Sequence, residues 1–138
     1  MAKDAVVSFK SGHQEIVGII AQMQSALRSY PEAKPSIRKM NEILLAHLGR
    51  QDNIFFDKLN SFYQSDRQAI KMIEFLIHDL KDMKIKFLIF FDEYSGEMAD
   101  RGSKNFPRDF TQFSSDVLGR IKIEEEYLFP LLEKLSAA

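Results

Sequence analysis

The sequence predicts an all-α protein that folds as an up-down-up-down four-helix bundle. Apolar residues recur every three or four positions along four long segments, and no window alternates apolar and polar residues as a half-buried strand would. Four helices of about 20–30 residues joined by short loops pack most simply as antiparallel neighbours. We predict helices over approximately residues 5–30, 35–61, 66–96 and 107–136 of a single domain that covers residues 1–138.

Residues that cap or break helices define the ends of these segments. Pro31 ends the first helix, because the residue before a proline disfavours helical backbone. Pro35 suits the first turn of the second helix, and Asp66 offers an N-cap for the third. The range 96–105 is predicted to be the longest loop, and Pro107 opens the fourth helix.

Each helix carries an apolar stripe that polar residues interrupt. The stripe of the first helix comprises Phe9, His13, Ile16, Ile20, Met23 and Leu27. The stripe of the second comprises Met40, Ile43, Leu44, His47, Gln51, Ile54, Phe55 and Leu59. The third helix is apolar on more than one side, and the face predicted to point inward comprises Phe75, His78, Asp82, Ile85 and Ile89. The stripe of the fourth comprises Phe113, Val117, Arg120, Ile121, Glu124, Leu128, Leu131 and Leu135.

The composition excludes several classes of protein. The chain has no cysteine, which rules out disulfides, zinc ribbons, iron–sulfur clusters and thiol nucleophiles. Its net charge of −1 offers no electrostatic basis for a nucleic-acid or membrane partner. No signal peptide is visible, and no run approaches the roughly 20 apolar residues that span a bilayer. We therefore expect a cytoplasmic protein.

Three histidines, His13, His47 and His78, are predicted to lie on the inward rows of three different helices. A polar group buried in a bundle is costly unless a partner satisfies it. Metal coordination by side chains of facing helices is one way to satisfy it, and bundle cores are where such sites are built. A network of histidines hydrogen-bonded to carboxylates is the other, and the residues alone leave both open.

Further polar residues share these rows. Arg120 and Glu124 lie on the inward row of the fourth helix, four residues and about 40° apart. Gln51 and Asp82 each follow a histidine at the same spacing. These residues are either additional metal donors or members of the hydrogen-bonded network.

The fourth helix contains the element Glu-Glu-x-x-Leu-Phe-Pro, which begins at Glu124 and ends at Pro130. Together with the placement of His13 and His78, it resembles the hemerythrin-like HHE cation-binding family over essentially the whole chain. That family has a histidine on helix 1, a His-x-x-x-Glu pair on helix 2, a histidine on helix 3 and a second pair on helix 4. The resemblance implies a hemerythrin-like bundle in which helices 1 and 2 serve one iron, helices 3 and 4 serve another, and two glutamates bridge.

Two positions depart from the family pattern. Gln51 stands where the family has a bridging glutamate, and Arg120 stands where it has a histidine. Carried over residue by residue, the first iron site keeps His13, His47 and Glu124, with Gln51 as a weak neutral donor.

The second iron site would keep only His78, with Asp82 as a further candidate donor. Arg120 would bring a positive charge close to that metal. At about 4–5 Å and an effective dielectric near 20, a singly and a doubly charged cation repel by roughly 7–8 kcal/mol. We therefore expect a mononuclear iron site rather than a di-iron centre.

The expected function is non-catalytic binding or sensing of iron, O2 or NO at this partly retained site. Two histidines and one carboxylate form the donor set of mononuclear non-haem iron sites with open positions. A ferritin-like di-iron enzyme needs Glu-x-x-His pairs, and none of the histidines has a glutamate three residues before it.

Two alternatives remain. The first is a metal-free interaction or regulatory module in which Arg120 replaces the lost metal charge, with the apolar run 87–91 as the contact for a homodimer or a protein partner. The second is a histidine-phosphotransfer domain using His78. This match is weak, because such domains need an exposed histidine beside small residues.

Overall fold

The computed structural model describes the backbone of residues 2–25, 30–94 and 105–137 and the side chains of residues 6–25, 34–94 and 105–137. Six α-helices occur in these ranges: α1 (Ala2–Ser25), α2 (Tyr30–Gly49), α3 (Asn53–Phe62), α4 (Arg67–Tyr94), α5 (Phe106–Ile123) and α6 (Phe129–Ala137). A π-helical segment, Glu124–Leu128, joins α5 to α6 without a break. The described ranges contain no strand, which confirms the predicted all-α class.

Four rods make up the bundle: α1, the α2–α3 pair, α4, and the continuous run from α5 to α6. α1 packs against α2 on one side and against α6 and α5 on the other. α4 packs against α5 and the π-helical segment and also touches α2 and α3. None of the helices in the described ranges is long and apolar enough to cross a membrane.

The helix predicted over residues 35–61 is in fact two helices. α2 ends at Gly49, and α3 starts after a short turn. Asp52 has extended backbone (φ −92°, ψ −176°), and its carboxylate accepts a hydrogen bond from the Phe55 N–H at 2.8 Å. This is an N-cap, and glycine is a poor helix former, so the two residues together explain the break. The turn also places Gln51 in the core, where it is 2% exposed.

The other helix boundaries follow the prediction with small changes. α2 begins at Tyr30, so Pro35 lies inside the helix instead of in its first turn. Pro31 takes the first-turn position, which tolerates a residue without an N–H. The predicted cap at Asp66 is present, because its carboxylate accepts a hydrogen bond from the Ala69 N–H at 3.1 Å. The predicted loop over 96–105 lies outside the described residues except for Asn105, and Leu27 also lies outside them.

The inward face of α4 differs from the predicted one. His78 is 82% exposed and Asp82 is 58% exposed, and Phe75, Ile85 and Ile89 also face outward. The buried face comprises Ala69, Ile73, Leu76, Leu80, Phe87, Phe90, Phe91 and Tyr94. This face buries three phenylalanines and a tyrosine, and large aromatic side chains dominate core energetics. The helix therefore turns its histidine to solvent.

The aromatic end of the core holds α4 against α5. Phe90 stacks on Phe113 with ring centroids 4.1 Å apart, and Tyr94 packs edge-on against Phe106. Within the predicted apolar run 87–91, three side chains point inward, while Leu88 and Ile89 are exposed. Elsewhere the core also contains buried polar side chains: His13, His47, Gln51, Ser114, Arg120 and Glu124.

Candidate metal centre

Four helical rods are present, and three of them supply the polar cluster in the core. α1 contributes His13, and α2 contributes His47 from its last turn. The α2–α3 turn contributes Gln51, α5 contributes Arg120, and the π-helical segment begins at Glu124. All five side chains are buried, and Glu124 is fully so.

The Glu124 carboxylate is the centre of this cluster. Its Oε1 lies 2.7 Å from His13 Nε2 and 2.9 Å from His47 Nε2. Its Oε2 accepts hydrogen bonds from the Gln51 amide at 2.9 Å and from Arg120 Nε at 2.8 Å. One carboxylate oxygen therefore faces the two imidazoles, and the other faces the amide and the guanidinium.

The charge of Glu124 follows from these contacts. Burial alone would raise the pKa of its carboxyl group. Hydrogen bonds from His13 and His47, together with the positive charge of Arg120, outweigh burial and hold the pKa well below its usual value. The group is an anion at neutral pH.

The Arg120 guanidinium is buried with most of its donors satisfied. Besides the bond to Glu124, its terminal nitrogens donate to the Leu76 carbonyl at 3.1 Å, to Asp79 Oδ2 at 3.0 Å and to Gln51 Oε1 at 2.7 Å. Gln51 thus links Arg120 to Glu124, accepting from one and donating to the other. A buried charge is tolerated only with such partners.

His13, His47 and Glu124 converge as the sequence predicted, and Gln51 and Arg120 lie beside them. His78 does not belong to the cluster, and neither does Asp82, since the exposed face of α4 carries both. Their nearest nitrogen and oxygen atoms lie 3.8 Å apart on that face.

Asp79 and Glu125 were missed by the sequence analysis. Asp79 is half-buried and binds Arg120, and Glu125 Oε1 lies 3.3 Å from His13 Nδ1. Asp79 lies beside the buried row of α4 that contains Leu76 and Leu80. Taking that row as the inward face would have placed Asp79 near the core. Glu125 directly follows Glu124, and consecutive residues of a helix point about 100° apart, so helical spacing does not place both glutamates against one imidazole ring.

The donor set fits one metal ion. One ligand atom each from His13, His47 and Glu124 lies within 4.8 Å of the others. Transition metals bind histidine nitrogen and carboxylate oxygen at roughly 2.0–2.2 Å, so ligand atoms in one coordination sphere lie about 3 Å apart. The two distances from Glu124 Oε1 are already close to that value.

An arginine lies on the other side of the Glu124 carboxylate. The Arg120 guanidinium occupies the side of the cluster at Glu124 Oε2, where no histidine faces it within the described residues. Asp79 is the only further carboxylate bonded to that guanidinium among the described residues, and it neutralises the arginine. The candidate site of His13, His47 and Glu124 therefore has a buried arginine beside it, paired with two carboxylates.

Residues 4–132 match the family model of the hemerythrin HHE cation binding domain. The chain belongs to that family. The hemerythrin HHE family is a metal-binding one, and this member keeps a three-residue candidate site within a hemerythrin-like all-α bundle. No curated protein and no solved structure matches the chain.

Proposed function

We propose that this hemerythrin HHE protein binds a single divalent metal ion, most favourably iron, through His13, His47 and Glu124. The observation that carries the proposal is the convergence of these three buried ligand atoms within 4.8 Å. Two histidines and one carboxylate form the donor set of mononuclear non-haem iron centres. The absence of sulfur donors also suits manganese or zinc, so the choice of iron rests on the donor set and on the family.

The proposed role is non-catalytic binding or sensing. Iron held by three protein ligands would supply open coordination positions to which O2 or NO can bind. The chain's own part is to present two imidazoles and a carboxylate oxygen in a buried, largely apolar setting. Arg120 and Gln51 hold the second oxygen of Glu124, so that this carboxylate cannot bridge to a second metal.

The test is the iron content of the full chain after anaerobic reconstitution with ferrous iron and desalting. We expect about one equivalent for the unchanged chain and for His78→Ala, and a loss of iron for His13→Ala and His47→Ala. His78→Ala is the matched control, because it removes an imidazole that faces solvent. About two equivalents would mean that Arg120 does not exclude the second ion, and none would refute iron binding.

A metal-free regulatory module is the second candidate, and one observation favours it. Both oxygens of Glu124 are already satisfied, each by two side-chain partners, without any cation. In this case Arg120 would supply the positive charge that a metal supplies elsewhere. The candidate requires that neither iron, manganese nor zinc is retained on reconstitution, and retention of one equivalent of any of them would refute it.

A further inference from the structure

Glu125 contacts the buried cluster from outside. Its Oε1 lies 3.3 Å from Nδ1 of His13, while His13 Nε2 faces Glu124. Glu125 is 53% exposed, whereas His13 is almost completely buried. The two glutamates are consecutive, and they reach the same imidazole ring at the start of the π-helical segment. π-helical turns occur frequently at functional sites.

The His13 ring is held in a defined plane. It stacks on Phe129 with ring centroids 5.1 Å apart and an interplanar angle of 15°. Stacking fixes the plane of the ring, but the position of the ring proton depends on hydrogen bonds at the two nitrogens. Glu125 supplies the partner at Nδ1.

Among the described residues, His47 has no carboxylate partner at Nδ1. Its Nδ1 is buried without a hydrogen bond to any described residue, and its ring packs edge-on against Phe9. The two imidazoles of the cluster therefore differ. A carboxylate faces Nδ1 of His13, whereas no described carboxylate forms a hydrogen bond with Nδ1 of His47.

We propose that Glu125 is the positioning residue of the metal site, acting through His13. A carboxylate can only accept a hydrogen bond, so the contact is attractive when Nδ1 carries the proton. With a metal in place of the hydrogen bond between Nε2 and Glu124, the ring would keep its proton on Nδ1, and its Nε2 lone pair would point to where Glu124 and His47 converge. A metal-bound histidine commonly donates its other ring N–H to a carboxylate in this way. The inference rests on the proposed function.

The location of Glu125 makes the proposal testable without damaging the core. Glu125, His13 and Phe129 line a cavity of about 730 Å³ between α1 and α6. Truncation of a half-exposed side chain at the edge of this cavity leaves the packed helices in place. Glu126 is a matched control, since it lies next in the chain, is similarly exposed and pairs with Lys122 at 3.8 Å.

The experiment measures the dissociation constant of Co2+ for the full chain by competition with a chelator. We expect Glu125→Ala to weaken Co2+ binding by about 10–100-fold, the range found when an outer-shell partner of a ligand is removed. Glu126→Ala removes the same charge from the same turn and is expected to change binding by no more than about twofold, because exposed charges are screened. Glu125→Gln should recover part of the affinity, since its amide oxygen still accepts the Nδ1–H but without charge.

The outcomes separate this inference from the proposed function. Equal effects of Glu125→Ala and Glu126→Ala would overturn the positioning role while leaving the metal site in place. Equal losses in Glu125→Ala and Glu125→Gln would also overturn it, because charge alone would then explain the effect. If the unchanged chain binds neither Co2+ nor ferrous iron, the proposed function fails and the positioning role fails with it. The thermal midpoint of the metal-free variants should match that of the unchanged chain, and a lower midpoint in Glu125→Ala would point to a structural role instead.

Discussion

At the scale of single residues, Arg120 shows how a core tolerates a charge. Its guanidinium donates four hydrogen bonds, to Glu124, Asp79, Gln51 and the Leu76 carbonyl. Two of these partners are carboxylates, so the guanidinium is compensated. The consequence is mutual dependence, because removal of either partner leaves the other buried without compensation.

We expect Arg120→Ala to lower the free energy of unfolding by about 3–5 kcal/mol, the cost of leaving one charge of a buried pair alone. Urea unfolding of the metal-free chain measures it. Lys122→Ala is the control, because this exposed lysine in the same helix forms a surface ion pair with Glu126, and its loss should cost about 0.5 kcal/mol or less. Similar losses for the two variants would show that Arg120 does not compensate Glu124.

Gly12 is a second residue whose size matters to the site. A Cβ built at Gly12 would lie 3.0 Å from His47 Nδ1, whereas a Cβ at Gly18 in the same helix would meet nothing within 4 Å. Phe9 packs against the His47 ring and limits its retreat. The missing side chain at position 12 is therefore what lets α1 approach this histidine.

We expect Gly18→Ala to stabilise the protein by about 0.5–1 kcal/mol, the usual gain when alanine replaces glycine inside a helix. Gly12→Ala should lose this gain, because the new methyl group displaces His47, and it should also weaken Co2+ binding. Urea unfolding and chelator competition measure the two effects. A Gly12→Ala variant as stable as Gly18→Ala, with unchanged Co2+ affinity, would contradict the steric argument.

At the scale of helices, α4 explains the main error of the sequence analysis. Its sequence is apolar on more than one side, so spacing alone allows several inward faces. An inward face through His78 agrees with the family pattern, but it would expose Phe87, Phe90 and Phe91 to solvent. The structure buries these three side chains instead. The inward face of such a helix is determined by its packing against neighbouring helices, which the sequence of the helix itself does not reveal.

The break between α2 and α3 could have been predicted more closely. Gly49 and Asp52 are a helix-ending and a helix-starting residue, placed three apart within the continuous stripe. Because the apolar stripe continues through these two residues, its period predicted one unbroken helix. The break shifts the helical phase, so Ile54 is exposed and Phe56 is buried instead.

The contact between α4 and α5 includes a buried tyrosine whose behaviour at high pH can be tested. The Tyr94 hydroxyl donates a hydrogen bond to Asp109 Oδ2. Burial, followed by this hydrogen bond and the charge of Asp109, raises the pKa of Tyr94 above its ordinary value. A raised pKa in the folded state gives stability that is fully present below pH 10, the unfolded value, and is lost as the pH rises above it.

We expect Tyr94→Phe to cost about 1.5–3 kcal/mol at pH 7, the range for a hydrogen bond to a charged group. The difference between the unchanged chain and Tyr94→Phe should shrink as the pH rises above 10, because only the unchanged chain loses the Tyr94 contribution. Urea unfolding at pH 7 and at several values above 10 measures it. Tyr127→Phe is the control, since this tyrosine is exposed. A difference that stays constant above pH 10 would contradict the assignment.

At the scale of the whole molecule, the sequence predicted the number of helical rods and the alignment of the first rod with the last. Helical periodicity indicated four rods, and the family motif aligned the first with the last. His13 and Glu124 could therefore be paired although they lie 111 positions apart in the chain. The contacts of Asp79 and Glu125 depend on the direction of their side chains, which the packing between helices determines. Sequence spacing places a residue on a helix, while packing between helices determines which way it faces.

The site joins three rods, so metal binding should stabilise the whole bundle. A ligand that binds only the folded state adds about 2.7 kcal/mol at a concentration 100 times its dissociation constant. For a chain of this size that corresponds to a rise in Tm of about 10 °C.

We expect this rise with Co2+ in the unchanged chain and in His78→Ala, where the exposed imidazole is removed, and no rise in His13→Ala. Calorimetry with and without Co2+ measures it. An equal rise in His13→Ala would place the metal elsewhere. No rise in the unchanged chain would mean that Co2+ does not bind the folded state, and the proposed metal site would then be refuted.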